Sequence, residues 1–155
     1  MKKYFLTIIT SFAITQGVHS QIAQQQIAYI EKETKEIKNN ITKYQKIEKQ
    51  DSLGNSNCIY KNNGELKLKK VYYQDTDANK NVEWYFANGE LIYSQKIWTD
   101  KKTNNVIENE KCYLNNNHLI EWTKNGKSVD STSEEFKRVS ADLPAYGISL
   151  IAQTK

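Results

Sequence analysis

Several residue types are scarce in this 155-residue chain, and each scarcity excludes a class of function. Histidine occurs only at His19 and His118, so the sequence cannot assemble a histidine-rich metal site. Arginine occurs only at Arg138, whereas phosphate-binding surfaces favour arginine for its bidentate contact, so nucleic acid is not an expected partner. The sequence also lacks the motifs of a phosphate-binding loop and of a zinc-protease helix. We therefore predict no cofactor and no metal.

Two segments come close to known sites without completing them. Residues 75–79, DTDAN, resemble the opening of a calcium-binding loop, but Lys80 stands where that loop needs glycine and Phe86 where it needs a bidentate glutamate. We interpret the segment as a polar hairpin connection. His118 is interpreted as a turn residue beside a strand, because no motif places a nucleophile or an orienting acid against it.

The first twenty residues have the pattern of a cleaved secretory signal. Lys2 and Lys3 precede an apolar run from Tyr4 to Ile14, and residues 17–20 supply small residues at the −1 and −3 positions of a cleavage site. The run is shorter than the ~20 apolar residues of a membrane-spanning helix, and no cysteine follows it to carry a lipid. We predict cleavage after Ser20, a periplasmic or secreted protein, and no transmembrane anchor after cleavage. Loss of the two lysines lowers the formal net charge from +4 to +2.

A long amphipathic helix is predicted for residues 21–50. This segment contains no glycine or proline, and its apolar or tolerant residues recur at alternating steps of four and three, which places them on one helical stripe. The stripe would either pack on the sheet of its own domain or pair with a second copy as a short coiled coil. Its members are Ala23, Ile27, Ile30, Thr34, Ile37, Ile41 and Tyr44.

Three β-hairpins are predicted for residues 57–124. In the clearest, Val82 to Trp98, two alternating arms flank Asn88-Gly89, a pair suited to a type I′ turn because both turn residues need positive φ. Gly64, Gly89 and Asn117 occupy equivalent turn positions, and asparagine tolerates the left-handed region. We expect about six strands in an antiparallel meander, near residues 57–62, 65–73, 82–88, 90–99, 106–115 and 118–124, with polar loops at 75–81 and 100–105.

The units YFANGEL, residues 85–91, and YLNNNHL, residues 113–119, resemble the Y-x-x-N-G-x-L hairpins of MORN-type repeat proteins, including bacterial antitoxin components. The resemblance covers residues 59–124. The repeats here are longer and uneven, and they lack the second glycine of the usual unit. The resemblance implies an interaction or surface-association module rather than an enzyme, and no functional residue carries over from it.

The C-terminal segment, residues 131–155, is predicted to be helical. Hydroxyl residues precede Glu134 and Glu135 as at a helix start, and the helix is expected to run to about Asp142, where Pro144 breaks or restarts it. The apolar residues near its end, Ile148, Leu150 and Ile151, are expected to dock on the core.

The sequence thus predicts one exported α+β domain over residues 21–155. A long N-terminal helix packs on an antiparallel meander of about six strands, and a short helical segment ends the chain. A sheet that curled round the long helix would look like a cystatin-type half-barrel. An extended sheet would look like a MORN-type ribbon.

The two cysteines, Cys58 and Cys112, are a hypothetical disulfide. Export would supply an oxidising compartment, and a bridge across the long loop between them would contribute ~4 kcal/mol in the chain-entropy model. The alternative is two buried free thiols. Alignment of the hairpins on their turns places the two cysteines one position out of phase, so they would face opposite sides of the sheet unless a β-bulge intervened.

Aromatic residues are abundant on the predicted strands and point to both faces of the central hairpin. One face must receive the helices. If the other is open, Tyr85, Trp98, Tyr113 and Trp122 would form an exposed binding patch; if the C-terminal segment or the curl of the sheet covers it, they belong to the core. The favoured function is non-catalytic binding of another envelope or extracellular protein, or of a glycan.

Two alternatives remain beside this function. The first is a small hydrolase in a curled sheet, which requires two carboxylates within about 10 Å in a pocket. The second is a structural protein that dimerises through its N-terminal helix. The carboxylates available on or beside the predicted strands are Glu65, Glu83, Glu90, Glu108, Glu110 and Glu121.

Overall fold

The computed structural model describes the backbone of residues 3–154 and the side chains of residues 21–154. The predicted cleavage after Ser20 lies at the border of the described side chains and stays a prediction. Among the described residues, no helix is both long and apolar enough to cross a membrane. The elements are α1 (Lys3–Asn39), a 3₁₀ turn (Ile41–Lys43), β1 (Gln45–Gln50), β2 (Ser56–Asn62), β3 (Glu65–Tyr73), β4 (Ala78–Ala87), β5 (Glu90–Asp100), β6 (Val106–Asn115), β7 (His118–Lys124), β8 (Lys127–Ser128) and α2 (Glu134–Gln153).

The chain is α+β, as predicted, but its sheet has eight strands rather than six. The strands follow one another in sequence order, and each pairs antiparallel with the next. The six predicted strands are β2 to β7. β4 begins at Ala78 instead of Val82, because the residues predicted as the end of a loop pair with the last residues of β5, as in Ala78 with Asp100.

The strand β1 corrects the predicted helix over residues 21–50. α1 ends at Asn39, and β1 pairs with β2 in a register that runs from Gln45 opposite Lys61 to Gln50 opposite Ser56. The residues of β1 are Gln, Lys, Ile and Glu, most of which favour a helix, so local propensity predicts a helix where the structure has a strand. Pairing with β2 overrides that propensity, and the charged side chains suit the edge of a sheet.

Four hairpins turn on two residues that both have positive φ. The φ angles lie between 49° and 82° at Asn63-Gly64, Asn88-Gly89, Asn116-Asn117 and Asn125-Gly126, as a type I′ turn requires. This confirms the equivalence of Gly64, Gly89 and Asn117. In the first three hairpins the strand register also shifts at one equivalent place, after Tyr60, Tyr85 and Tyr113. The repeat therefore includes a β-bulge as well as a turn.

The helix α1 covers one face of the sheet with its predicted stripe. Ile30, Thr34 and Ile37 are buried, so the helix packs on the sheet of its own chain. Polar contacts fix it there: the Tyr113 hydroxyl donates to a Glu31 carboxylate oxygen at 3.1 Å. The core on this face contains Ile30, Ile37, Leu68, Tyr85, Ala87, Ile92, Tyr93 and Tyr113.

The helix α2 covers the opposite face. It starts after Ser133, whose Oγ accepts a hydrogen bond from the N–H of Phe136 at 3.2 Å. It does not break at Pro144, which is buried within it; packing on the sheet compensates for the backbone hydrogen bond that proline removes. A Cβ at Gly147 would lie 2.7 Å from the Cβ of Leu91, so this close approach needs glycine.

The expected docking of the last apolar residues is only partly found. Leu150 is buried and Ile151 packs against the same core, whereas Ile148 is exposed. The core under α2 contains Leu66, Val71, Trp84, Phe86, Leu91, Cys112, Leu114, Leu119, Trp122 and Leu150. The sheet therefore has an apolar core on each side, with one helix over each.

Candidate functional site

The four aromatic residues predicted to form a binding patch do not lie together. Tyr85 and Tyr113 are buried beneath α1 at 0% and 6% exposure, and Trp122 is buried against Phe136 of α2 at 2%. Of the four, only Trp98 is partly exposed. Each face of the sheet carries a helix over an apolar core, so Tyr85, Tyr113 and Trp122 belong to the core, which is the second of the two arrangements considered from the sequence.

The two cysteines are free thiols, and the fold keeps them apart. Cys112 belongs to the core under α2, whereas Cys58 lies on the face of Tyr60, which packs under α1. Their strands, β2 and β6, are four strand spacings apart, or about 19 Å, far beyond the reach of a disulfide. The opposite orientation follows the one-position phase difference seen in the sequence, and the disulfide hypothesis is corrected.

Part of the sheet face beneath α2 is not covered by that helix. Strand alternation places five charged side chains there. They lie at the ends of β4 to β7 that are opposite the turns containing Gly89 and Asn117. We call them the charged floor; its members are Lys80, Lys96, Glu108, Glu110 and Lys124. The face is thus divided into an apolar part under the helix and a charged part beside it.

Two adjoining hollows lie over the charged floor. One, of about 510 Å³, is an open hollow between the floor and α2, and the other, of about 350 Å³, lies next to it toward β3. Both include Val82 and Lys96, so they form one continuous groove. We refer to it as the α2 groove; its walls include Tyr73, Trp84, Trp98, Arg138, Asp142 and Tyr146.

Lys96 is the centre of the charged floor. Its Nζ lies 2.8 Å from a carboxylate oxygen of Glu108 and 3.0 Å from one of Glu110. Burial disfavours the charged ammonium, but the two carboxylates outweigh burial and raise the pKa of Lys96. Burial and the neighbouring Glu108 raise the pKa of Glu110. Burial has the same tendency at Glu108, but hydrogen bonds from Glu110 and Lys96 prevail and lower the pKa of Glu108.

The remaining cations of the floor are also paired. Lys80 lies 2.5 Å from a carboxylate oxygen of Asp75, and hydrogen bonds from Lys80 and from the N–H groups of Asp77 and Ala78 lower the pKa of Asp75 to about 2. Lys124 lies 2.9 Å from Glu135 of α2. Lys80 and Lys96 also approach the Trp98 ring, with Nζ to centroid distances of 4.5 and 5.0 Å.

Three aromatic side chains with accessible surface border the groove. Tyr73 and Tyr146 are 42% and 40% exposed, and Trp98, which lines the smaller hollow, is partly exposed. Tyr146 of α2 packs against the buried Trp84 with ring centroids 5.4 Å apart and planes inclined at 56°. A ligand in the groove would therefore meet aromatic surface on its walls and charged groups beneath it.

Arg138 and Asp142 differ from the charges of the floor. Both lie on α2, one turn apart, and line the larger hollow. Within the described part of the chain neither forms an ion pair, whereas every cation of the floor does. They are therefore the two charged groups of the groove that are free to pair with a ligand.

Comparison of the chain with protein-family models, with curated proteins and with solved structures found no match. The resemblance to MORN-type hairpins stays a prediction.

The charged floor also contains the carboxylate pair that a hydrolase would need, of which Glu110 lines the larger hollow. Glu108 and Glu110 contact one ammonium, so their carboxylates lie well within the ~10 Å expected of such a pair. Their pKa values are displaced in opposite directions, which is the pattern of an acid beside a carboxylate. In the described residues, no cluster of three or more histidine, cysteine, aspartate or glutamate side chains could hold a metal ion.

Sequence reasoning named Trp98 but missed Arg138, Asp142 and Tyr146. Their spacing of four along α2 places them on one side of the helix, and this signal was available in the sequence. It was not used because a break was expected at Pro144, between Asp142 and Tyr146. Uninterrupted through the proline, the helix carries all three residues over the same hollow.

Proposed function

We propose that this protein is an exported, non-catalytic binding module that holds its ligand in the α2 groove. The observation that carries the proposal is the composition of the groove, where the exposed Tyr146 and the unpaired Arg138 and Asp142 face a fixed, ion-paired floor. Binding sites combine aromatic contact area with a few polar groups that fix orientation, and this arrangement supplies both. A fixed floor also means that its side chains lose little conformational freedom on binding.

The first test is capture of a partner from envelope and secreted fractions. The bait is expressed from the full-length sequence with a C-terminal tag and purified as the cell processes it. Mass spectrometry of the bait then also tests export, since we expect its first residue to be Gln21. We expect a partner that binds the wild type and is lost from a Tyr146→Ala, Arg138→Gln double variant.

The matched control is Tyr72→Ala. Tyr72 is 43% exposed, close to the 40% of Tyr146, but it lies on the α1 side of the sheet. The control variant should retain the partner, and circular dichroism should show that all baits are folded. A partner retained by the double variant, or lost equally in the control, would contradict a ligand site in the α2 groove.

A hydrolase is the second candidate, and one observation favours it: the opposed pKa shifts of Glu108 and Glu110. Lys96 binds both carboxylates and reduces their freedom to act on a substrate, which is why binding is preferred. Incubation with the captured ligand would decide the matter. New reducing ends or cleaved bonds that disappear in Glu110→Gln would replace the binding proposal with an enzymatic one.

A further inference from the structure

The base of the α2 groove combines apolar side chains, such as Val82 and Cys112, with the ion-paired Lys80, Lys96 and Glu110, and aromatic side chains line its walls. A protein segment that binds through buried anchor side chains needs a dry, apolar pocket. The groove instead has the charged groups of Lys80, Lys96 and Glu110 among its apolar side chains, so an apolar anchor that covered them would strip water from charged groups without replacing its hydrogen bonds. The ligand must therefore carry polar groups that reach the base of both hollows.

The same ligand must also offer apolar surface to the walls. Tyr73, Trp98 and Tyr146 lie along the two connected hollows, so the ligand must offer apolar surface at several points along the groove. A saccharide chain has this character, because each sugar ring has a rim of hydroxyl groups and a face of C–H groups that packs on aromatic rings. Hydroxyl groups can both donate to the carboxylates of the floor and accept from its ammonium groups.

The unpaired charged residues of the groove indicate which kind of saccharide would bind. Arg138 has no carboxylate partner among the described residues and lines the larger hollow beside Tyr146. A guanidinium binds a carboxylate through two parallel hydrogen bonds, whereas the carboxylate of Asp142, one turn away, accepts hydrogen bonds. An acidic sugar satisfies both residues, with its carboxylate on Arg138 and a hydroxyl on Asp142.

Resting on the binding function proposed above, we infer that the ligand is a saccharide chain bearing carboxylate groups, and that Arg138 binds a carboxylate of the chain. The probes are oligogalacturonate and hyaluronan oligomers of four to six sugars, each paired with its methyl ester, which removes the charge and keeps the chain. Titration calorimetry uses the protein expressed from the full-length sequence and purified as processed. We expect at least one acidic chain to bind tenfold or more tightly than its ester.

The variants distinguish the loss of the contact between Arg138 and the carboxylate from a general loss of binding. Arg138→Gln should weaken the acidic chain at least tenfold and leave the ester unchanged. Lys137→Gln removes the same charge one residue away, where Lys137 pairs with Glu134 outside the groove, and should change neither. Tyr146→Ala should weaken the acid and the ester alike.

Three outcomes would overturn the inference: no acidic chain binding at millimolar concentration, equal binding of acid and ester, or equal effects of Arg138→Gln and Lys137→Gln. If the groove still captures a protein partner that the double variant loses, the binding function stands while the saccharide inference falls. If neither a protein partner nor a saccharide requires the groove residues for binding, both the proposed function and the saccharide inference are wrong.

Discussion

Burial decides the chemistry of the two cysteines. Cys58 and Cys112 are 3% and 6% exposed, and burial raises the pKa of the Cys112 thiol to about 12 despite a hydrogen bond with Ser94. A thiol reacts as its thiolate, so Cys112 is protected both by the packing around it and by its protonation. An oxidising compartment would therefore leave the pair unbridged, since each thiol is enclosed on its own face of the sheet.

We expect two free thiols per chain. Protein unfolded in guanidinium without reductant should gain the mass of two iodoacetamide adducts, and the native protein should gain them far more slowly because both sulfurs are buried. Cys58→Ser and Cys112→Ser, each labelled once when unfolded, assign the two sites. An unfolded wild-type chain that gains no adduct until it is reduced would show a disulfide and contradict the fold.

At the scale of elements, the hairpins and the start of α2 were predictable, and the ends of the two helices were not. Asn-Gly pairs determine local φ angles, so the turns and their neighbouring strands follow from short stretches of sequence. Residues 45–50 are a strand only because β2 lies beside them, and no local signal outweighs their helical composition. The burial of Tyr85 and Tyr113 likewise depends on where α1 docks, which alternation along a single strand does not reveal.

The turn Asn116-Asn117 gives a test of the hairpin repeat. Asn117 has a φ of 59° at the position where the other three turns carry glycine, so Asn117→Gly should stabilise the protein by about 0.5–1 kcal/mol. The reciprocal change, Gly89→Asn, should destabilise it by a similar amount. Urea unfolding monitored by tryptophan fluorescence measures both free energies.

Asn115→Gly is the matched control for the turn. Asn115 precedes the turn, pairs with His118 and is not among the positive-φ residues, so glycine there should destabilise the strand end. If Asn117→Gly lowers the free energy of unfolding as much as Asn115→Gly does, the third turn does not have the conformation of the others.

At the scale of the whole molecule, two helices and one sheet are joined by different kinds of contact. α2 meets the sheet through apolar residues and the close approach of Gly147 to Leu91. α1 adds a polar network, in which Glu83 lies 2.7 Å from Lys70 and 4.0 Å from Lys38 of α1 and accepts a hydrogen bond from the Tyr85 hydroxyl. The ionised Glu83 therefore links the sheet to α1 through Lys38.

This network should make the stability of the fold sensitive to acid. Burial opposes the ionisation of Glu83, but hydrogen bonds from Lys70 and Tyr85 prevail and lower its pKa. A lowered pKa stabilises the folded chain above the unfolded value of about 4.3, and this contribution is lost as the pH falls through the folded value.

Glu83→Gln should therefore reduce the free energy of unfolding at pH 7 by about 1–3 kcal/mol and flatten its decline below about pH 5. Glu36→Gln, an exposed change on α1, should do neither. Urea titrations of the three proteins between pH 3 and pH 7 measure the effect, and an acid slope for Glu83→Gln equal to that of the wild type would show that the ionisation of Glu83 does not stabilise the fold.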